Sequence, residues 1–272
     1  MSVARRKAVG IFDSGVGGLT VLKAIRERLP AERLIYLGDT ARLPYGTKSA
    51  ASIARYAEQA TRLLIAEDIK LLVIACNTAS AVALPSLRRQ MAPLPVIGVV
   101  EPGAAAATAA RPGGSHLVLA TEATVRLGAY RNAILALDAE ARVYELACEL
   151  LVSLAEEGWT EGAIAESIVR RYLDNVASDG YEADSVILGC THFPLLRPSI
   201  RSCLAESVDL VDSATTTAAV VAAALADNKL LDDQGSGELR LLASDGPRRF
   251  ARVGGQFLDA ALTADDIELV DL

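Results

Sequence analysis

The feature that most constrains this chain is a rhythm. Short, unbroken aliphatic runs alternate with stretches of helical periodicity along all 272 residues. "KAVGIF" (7–12), "RLIYLG" (33–38), "KLLVIA" (70–75) and "PVIGVV" (95–100) read as strands in the first half. "HLVLA" (116–120), "RVYEL" (142–146), "DSVILG" (184–189) and "VDLV" (208–211) do so in the second. Strands that are apolar on both faces belong in parallel sheets covered by helices on either side. Residues 18–29 have helical spacing, Ser49 can cap a helix running to about Glu67, and a further helix starts at Thr78. Residues 40–49 read as a long loop. The tail adds a helix at about 213–227, the run "ELRLLAS", another helix and "DIELVDL".

The rhythm repeats in detail. Strand one ends in Asp13 in the first half and Thr121 in the second, strand two in Asp39 and Cys148, strand three in Cys76 and Cys190, strand four in Glu101 and Asp212. Shared fold grammar could produce this, but duplication explains the constant order and near-constant separation better. The expected fold is α/β, with two pseudo-symmetric parallel-sheet domains and helices on both faces. The first domain takes residues 1–99 plus 213–272 and the second residues 100–212. A parallel sheet offers its ligand site beyond the carboxyl ends of its strands, which is where Asp13, Cys76, Thr121 and Cys190 fall. Two such domains facing each other would place the active site in the cleft between them, with the two cysteines on opposite sides of one ligand.

Composition narrows the partners. Hydrophobics at 51% and charged residues at 22% suit a globular protein with a sizeable core. A net charge of −7 argues against nucleic acid held by phosphate contacts, though not against a small anion. No apolar run approaches the ~18 residues of a membrane span, and the start, "MSVARRKAVGIFDSG", is too short in apolar residues for a signal peptide. The chain reads as cytoplasmic. Cys76, Cys148, Cys190 and Cys203 are far apart with no CxxC, so a disulfide scaffold is not expected. Only two histidines, His116 and His192, leave a metal site unsupported.

"DSGVGGLT" (13–20) follows a strand and opens a helix, and Asp39 ends the next strand where a ribose ligand would stand. The spacing is G-x-G-G, however, with Thr20 where a third glycine or alanine belongs, and no Lys-Ser/Thr follows. What remains is a glycine-rich helix start able to offer N–H groups to an anion, with the Ser14 hydroxyl beside it. A lone cysteine is more often a small buried hydrophobe than a catalyst. Here "ACNTAS" (75–80) and "GCTH" (189–192) set two cysteines in equivalent places, each followed by hydroxyl or amide groups at a helix start, a setting that favours thiolate. His192, two residues from Cys190, could be an acid/base or could tune the thiol. Asp13 could position or ionise a thiol, or merely cap a helix. Glu156 or Glu157 could reach the site, or lie on a solvated helix face. His116 reads as a surface or packing residue, and Cys148 and Cys203 as structural. Two opposed thiols suit removal of a proton from one face of a stereocentre and its return to the other, with convergent N–H groups and hydroxyls stabilising the carbanion. No convincing lysine site for pyridoxal phosphate is present.

"GIFDSGVGGLTVL", "YLGDTARLPYGTKS", "ACNTAS", "VIGVVEPG" and "VILGCTHFPLL", in order over residues 10–196, resemble the glutamate racemases of the aspartate/glutamate racemase superfamily. The resemblance implies a two-base racemase with no cofactor and no metal, acting on glutamate to make D-glutamate for peptidoglycan. It implies that Cys76 deprotonates the D-isomer, assisted by Asp13, and Cys190 the L-isomer, assisted by His192 and Glu156. Asp13, Ser14, Tyr45, Gly46, Asn77, Thr78, Thr191 and His192 would hold the amino acid. A homodimer is implied as well, without nucleic-acid or membrane partners. Strand one starts by about residue 7, which leaves no room for the N-terminal extension of some members. Ala123 and Leu127 stand where the family usually carries small or hydroxyl residues, and Glu149 replaces an expected proline, while Thr124 is kept. The rival readings are a sister racemase for aspartate or another acid, a dinucleotide-binding protein and a plain amino-acid-binding module.

Overall fold

The computed structural model describes residues 3–272; the first two residues of the start weighed above as a leader lie outside them. Among the described residues ten strands form two sheets, all of whose pairings are parallel. They are β1 (Val9–Asp13), β2 (Leu34–Gly38), β3 (Leu71–Ile74), β4 (Val96–Gly98), β5 (Ser115–Ala120), β6 (Arg142–Ala147), β7 (Ser185–Gly189), β8 (Asp209–Asp212), β9 (Leu239–Ala243) and β10 (Ile267–Leu269). The six-stranded sheet runs β10-β9-β2-β1-β3-β4 and the four-stranded sheet β6-β5-β7-β8. The chain divides into two compact units, Met1–Val99 with Ala214–Leu272, and Val100–Ser213.

In the first unit β1, β2 and β3 are buried along their whole length, which is why they read as unbroken aliphatic runs. Phe12, Leu37, Leu72 and Ile74 share one face and pack with Ile53, Ala57 and Leu64 of the helix Ala50–Ala66 and Ala79, Ala83 and Leu87 of the helix Asn77–Met91. Alternation sends Ile11, Tyr36 and Val73 to the other face; there the Tyr36 ring meets Phe250 of the helix Pro247–Leu258. Ser49 caps Ala50–Ala66 by accepting the Ser52 N–H at 3.2 Å.

The second unit repeats the order of β2-β1-β3-β4 at one end of the first sheet: second, first, third, fourth. β5 and β7 are fully buried, while the edge strands β6 and β8 are half-exposed. Val100, Ala104 and Ala107 of the helix Val100–Ala110 pack with Tyr130 and Ile134 onto Val118, Ala120, Ile187 and Val211. This helix corrects the reading of a strand through 95–100 ending at Glu101. β4 stops at Gly98, Ser80 Oγ accepts the Val99 N–H, and Glu101 falls in the first turn of an alanine-rich helix. Helix propensity over 104–110 outweighs two valines. His116 lies within β5, wholly buried, with Nδ1 2.8 Å from Ser185 Oγ; burial lowers its pKa, so it is a neutral packing residue. Among the described residues no helix is long and apolar enough to cross a membrane.

One buried ion pair ties distant segments of the first unit together. Lys70 Nζ lies 2.5 Å from Glu32 Oε2, with both side chains out of solvent, and also donates to the carbonyls of Arg5 and Leu230. Glu32 Oε1 accepts the Asp232 N–H at 2.8 Å. Removing one partner strands the other's charge in the core. Lys70→Met is expected to cost about 3–5 kcal/mol in urea denaturation. The double change Lys70→Met with Glu32→Leu is expected to recover most of that loss, and a double variant no more stable than Lys70→Met would contradict this account.

Candidate active site

The ladder continues past the strand ends and sets out the side chains. Asp39 N–H donates to the Asp13 carbonyl at 3.0 Å, and Ala75 N–H to that of Phe12 at 2.8 Å. Asp13, Asp39 and Cys76 therefore stand side by side at the carboxyl edge of the first sheet. Asp13 is buried, and its Oδ2 accepts the Gly15 N–H at 2.8 Å. Cys76 is the N-cap of Asn77–Met91: its Sγ accepts the Ala79 N–H at 3.4 Å, and its thiol points to Ser14 Oγ at 3.5 Å. The sulfur-bearing residue is 6% exposed, and Asn77 and Thr78 follow it in the buried first turn. The structure thus brings Asp13, Ser14, Cys76, Asn77 and Thr78 to one edge.

Tyr45 and Gly46 are buried in a short 3-10 turn, Tyr45–Thr47, inside the segment read as a long loop. The Tyr45 hydroxyl donates to Asp39 Oδ2 at 2.5 Å. Burial, and then the Asp39 carboxylate, hold that phenol far above its usual pKa. Its hydroxyl is committed to the protein, which leaves the backbone of Tyr45–Gly46 as the part able to meet a ligand. Asp39 also accepts from Arg42 Nε and Ser244 Oγ. With its carboxylate so engaged it is no ribose ligand, and the dinucleotide reading loses its acidic partner. Three N–H groups of the glycine-rich helix start are already engaged: those of Gly15, Leu19 and Thr20 serve Asp13, Val16 and Gly17.

In the second unit the Cys148 N–H donates to the Ala120 carbonyl at 2.9 Å, and Ala120 pairs with Gly189. Thr121, Cys148 and Cys190 line the corresponding edge. Cys190 is 6% exposed, like Cys76. His192 Nδ1 lies 3.7 Å from Cys190 Sγ and 3.5 Å from Thr191 Oγ1, and its Nε2 lies 3.1 Å from Glu156 Oε1. Glu156, near the end of the helix Glu149–Glu157, is the member of the Glu156–Glu157 pair that reaches His192. Burial opposes charge on this imidazole, but Cys190 and Glu156 outweigh it and push its pKa up to about 10. Thr121 Oγ1 lies 3.1 Å from Thr124 Oγ1. Cys148 is buried at the N-cap of Glu149–Glu157, and burial, followed by Cys190 and Glu149, pushes its thiol up strongly. That disfavours thiolate chemistry there. Cys203, half-buried at the end of Arg197–Ser202, donates to the Glu166 carbonyl at 3.7 Å and lies 3.8 Å from Ser202 Oγ.

Sequence reasoning missed two side chains that shape the first edge. Asp39 was weighed only as a ligand, yet it anchors the Tyr45 turn. Tyr36 was not singled out, although a tyrosine inside an aliphatic strand signals a buried hydroxyl in need of a partner.

The fold is α/β with parallel sheets, and each of its two units carries a strand-end thiol, Cys76 beside the Ser14 hydroxyl and Cys190 beside the His192 imidazole that Glu156 holds. The chain belongs to the Asp/Glu/hydantoin racemase family, whose profile matches residues 12–223. Glutamate racemase of Geobacter metallireducens is 49% identical over 257 residues, covering 94% of each chain. That of Neisseria meningitidis serogroup C is 43% identical over 272 residues, covering 100% of this chain and 99% of the relative. Among solved structures, glutamate racemase of Francisella tularensis in complex with D-glutamate superposes with a TM-score of 0.90 at 36% identity, covering 98% of each chain.

The His192 environment carries its own test. Its pKa is raised from the unfolded value of ~6.5, so the stabilisation it brings is fully present below that pH. It is lost as pH rises through about 10. In ring-carbon NMR His192 is expected to titrate near that upper value, and Glu156→Gln to draw it down toward ~6.5. A wild-type His192 that is neutral at pH 8 would refute the assignment.

Proposed function

We infer that this racemase interconverts L- and D-glutamate by two-base proton transfer at Cα, without a cofactor, and supplies D-glutamate for peptidoglycan. The observation that carries the reading is the pair of strand-end thiols with unlike neighbours. The full-length similarity to glutamate racemases and the family resemblance of the Cys76 and Cys190 motifs support it. The resemblance supports a cytoplasmic homodimer as well.

The chemistry follows from the neighbours. With L-glutamate, Cys190 acts as thiolate, its charge held by the His192 imidazolium, which Glu156 supports in turn. The sulfur takes the α-proton, the Cα–H bond breaks and its electron pair spreads onto the substrate carboxylate. Cys76 then gives its thiol proton to the opposite face, the S–H bond breaks and D-glutamate forms. The enzyme is left with a Cys190 thiol and a Cys76 thiolate, the state that the reverse reaction needs. On the Cys76 side, Ser14 and the Ala79 N–H receive the new charge on sulfur, and Asp13 is the charged group that favours return of a proton. Backbone N–H groups around Asn77, Thr78 and Thr191, with the Tyr45–Gly46 backbone, hold the amino acid and its carbanionic charge.

The test uses each enantiomer of glutamate in D₂O, with optical rotation and the α-proton signal followed together. Wild type is expected to racemise both and to place solvent deuterium at Cα. Cys76→Ala and Cys190→Ala are each expected to lower racemisation by ~10²–10⁴-fold, the usual contribution of a positioned acid or base. Near-normal racemisation by either variant would refute the two-base mechanism, and faster turnover of aspartate than of glutamate would refute the substrate.

A further inference from the structure

Tyr36 lies in the middle of β2, register-paired with Ile11, and is fully buried. Its hydroxyl donates to the Gly15 carbonyl oxygen at 2.9 Å. The approach depends on Gly38, two residues further along the strand, where a Cβ would stand 2.3 Å from the Gly15 oxygen. Phe250 packs against the ring, with centroids 6.1 Å apart. Burial, then Asp13 and Cys76, raise the phenol's pKa well above its ordinary value, so the hydroxyl is a permanent donor at any working pH. The loop it grips carries Ser14, 3.5 Å from the Cys76 sulfur, and is closed at its other end by Asp13 Oδ2 on the Gly15 N–H.

We propose that Tyr36 is a positioning residue for proton transfer at Cys76, fixing through Gly15 and Asp13 the aim of Ser14 and Asp13 on that thiol. The proposal rests on the racemase reading above. Tyr36 acts through the loop rather than on the substrate, and it serves one of the two bases only.

That one-sidedness gives it a signature. Enantiomers are equal in energy, so damage at either base lowers kcat/KM by the same factor in both directions. Isotope effects are not bound in this way. When the Cys76 step becomes more limiting, the effect of α-deuteration rises with D-glutamate, from which Cys76 takes the deuteron. It falls with L-glutamate, from which Cys190 takes it.

The experiment compares wild type and Tyr36→Phe with both α-deuterated enantiomers. Expected for Tyr36→Phe is a loss of about 10-fold in kcat/KM in each direction, with the D-to-L ratio of isotope effects raised above that of wild type. A merely structural role would reduce the active fraction and leave both isotope effects alone. An unchanged or lowered ratio therefore overturns the proposal, as does an unchanged kcat/KM. If wild type itself neither racemises glutamate nor exchanges its α-proton, the racemase reading fails. If wild type racemises and Tyr36→Phe matches it, only the role of Tyr36 fails. Should Tyr36→Phe not fold, 3-fluorotyrosine at position 36, which keeps the shape and is a stronger donor, is expected to lower the ratio; a ratio that stays at the wild-type value overturns the proposal.

Discussion

Backbone hydrogen bonds that run one residue beyond the strands hold both edges in place. Asp39 N–H on the Asp13 carbonyl, Ala75 N–H on that of Phe12 and Cys148 N–H on that of Ala120 extend the parallel ladders into the turns. Each bond is made in a buried setting, where an unpaired amide would be costly. The turn residues consequently inherit the precision of the sheet. A thiol at the N-cap of a helix is positioned by two rigid elements at once, and Cys76 shows it directly: the ladder fixes Ala75, and the Ala79 N–H fixes the sulfur.

The two units share one order over four strands and one place for a thiol, but they surround it differently. Around Cys76 are a hydroxyl, a backbone N–H and the Asp13 carboxylate; around Cys190 stands an imidazolium backed by a carboxylate. On the racemase reading this inequality is required. One sulfur must hold a proton while the other lacks it, and two thiols in identical surroundings would have no reason to divide one proton in a defined way. Topological repetition gives each unit a thiol at the same strand end, and on that reading divergence of the neighbouring side chains gives the difference in charge that proton transfer needs.

The legible part of the molecule is the part dictated by local rules. Strands buried on both faces write themselves as aliphatic runs, so β1, β2, β3 and β7 were plain, and the Ser49 cap was readable because a serine before a helical pattern has one local meaning. The strand-end cysteines could be noticed because they recur at matching positions. The Val100–Ala110 helix was missed because "VIGVV" continues a strand pattern across a boundary that Ser80, a residue on another element, enforces. The Lys70–Glu32 pair and the gathering of Arg42, Tyr45 and Ser244 around Asp39 join residues far apart in sequence. No local rule relates them. The choice between Glu156 and Glu157 likewise waits on helix phase, which decides which side chain faces His192.

The glycine-rich loop shows how far one motif can be carried by different physics. Gly15, Gly17 and Gly18 before a helix resemble a phosphate cradle, which works by leaving N–H groups open to an external anion. Here the anion is internal. The Asp13 carboxylate takes the Gly15 N–H, the Tyr36 hydroxyl donates to the Gly15 carbonyl, and turns within the loop use the N–H groups of Leu19 and Thr20. Gly18 is needed for a different reason than in a cradle: a Cβ there would come within 2.6 Å of the Asp13 Cβ. The glycines admit a carboxylate from the chain itself, and the loop becomes a rigid bracket that holds Ser14 against a thiol instead of a receptor for phosphate.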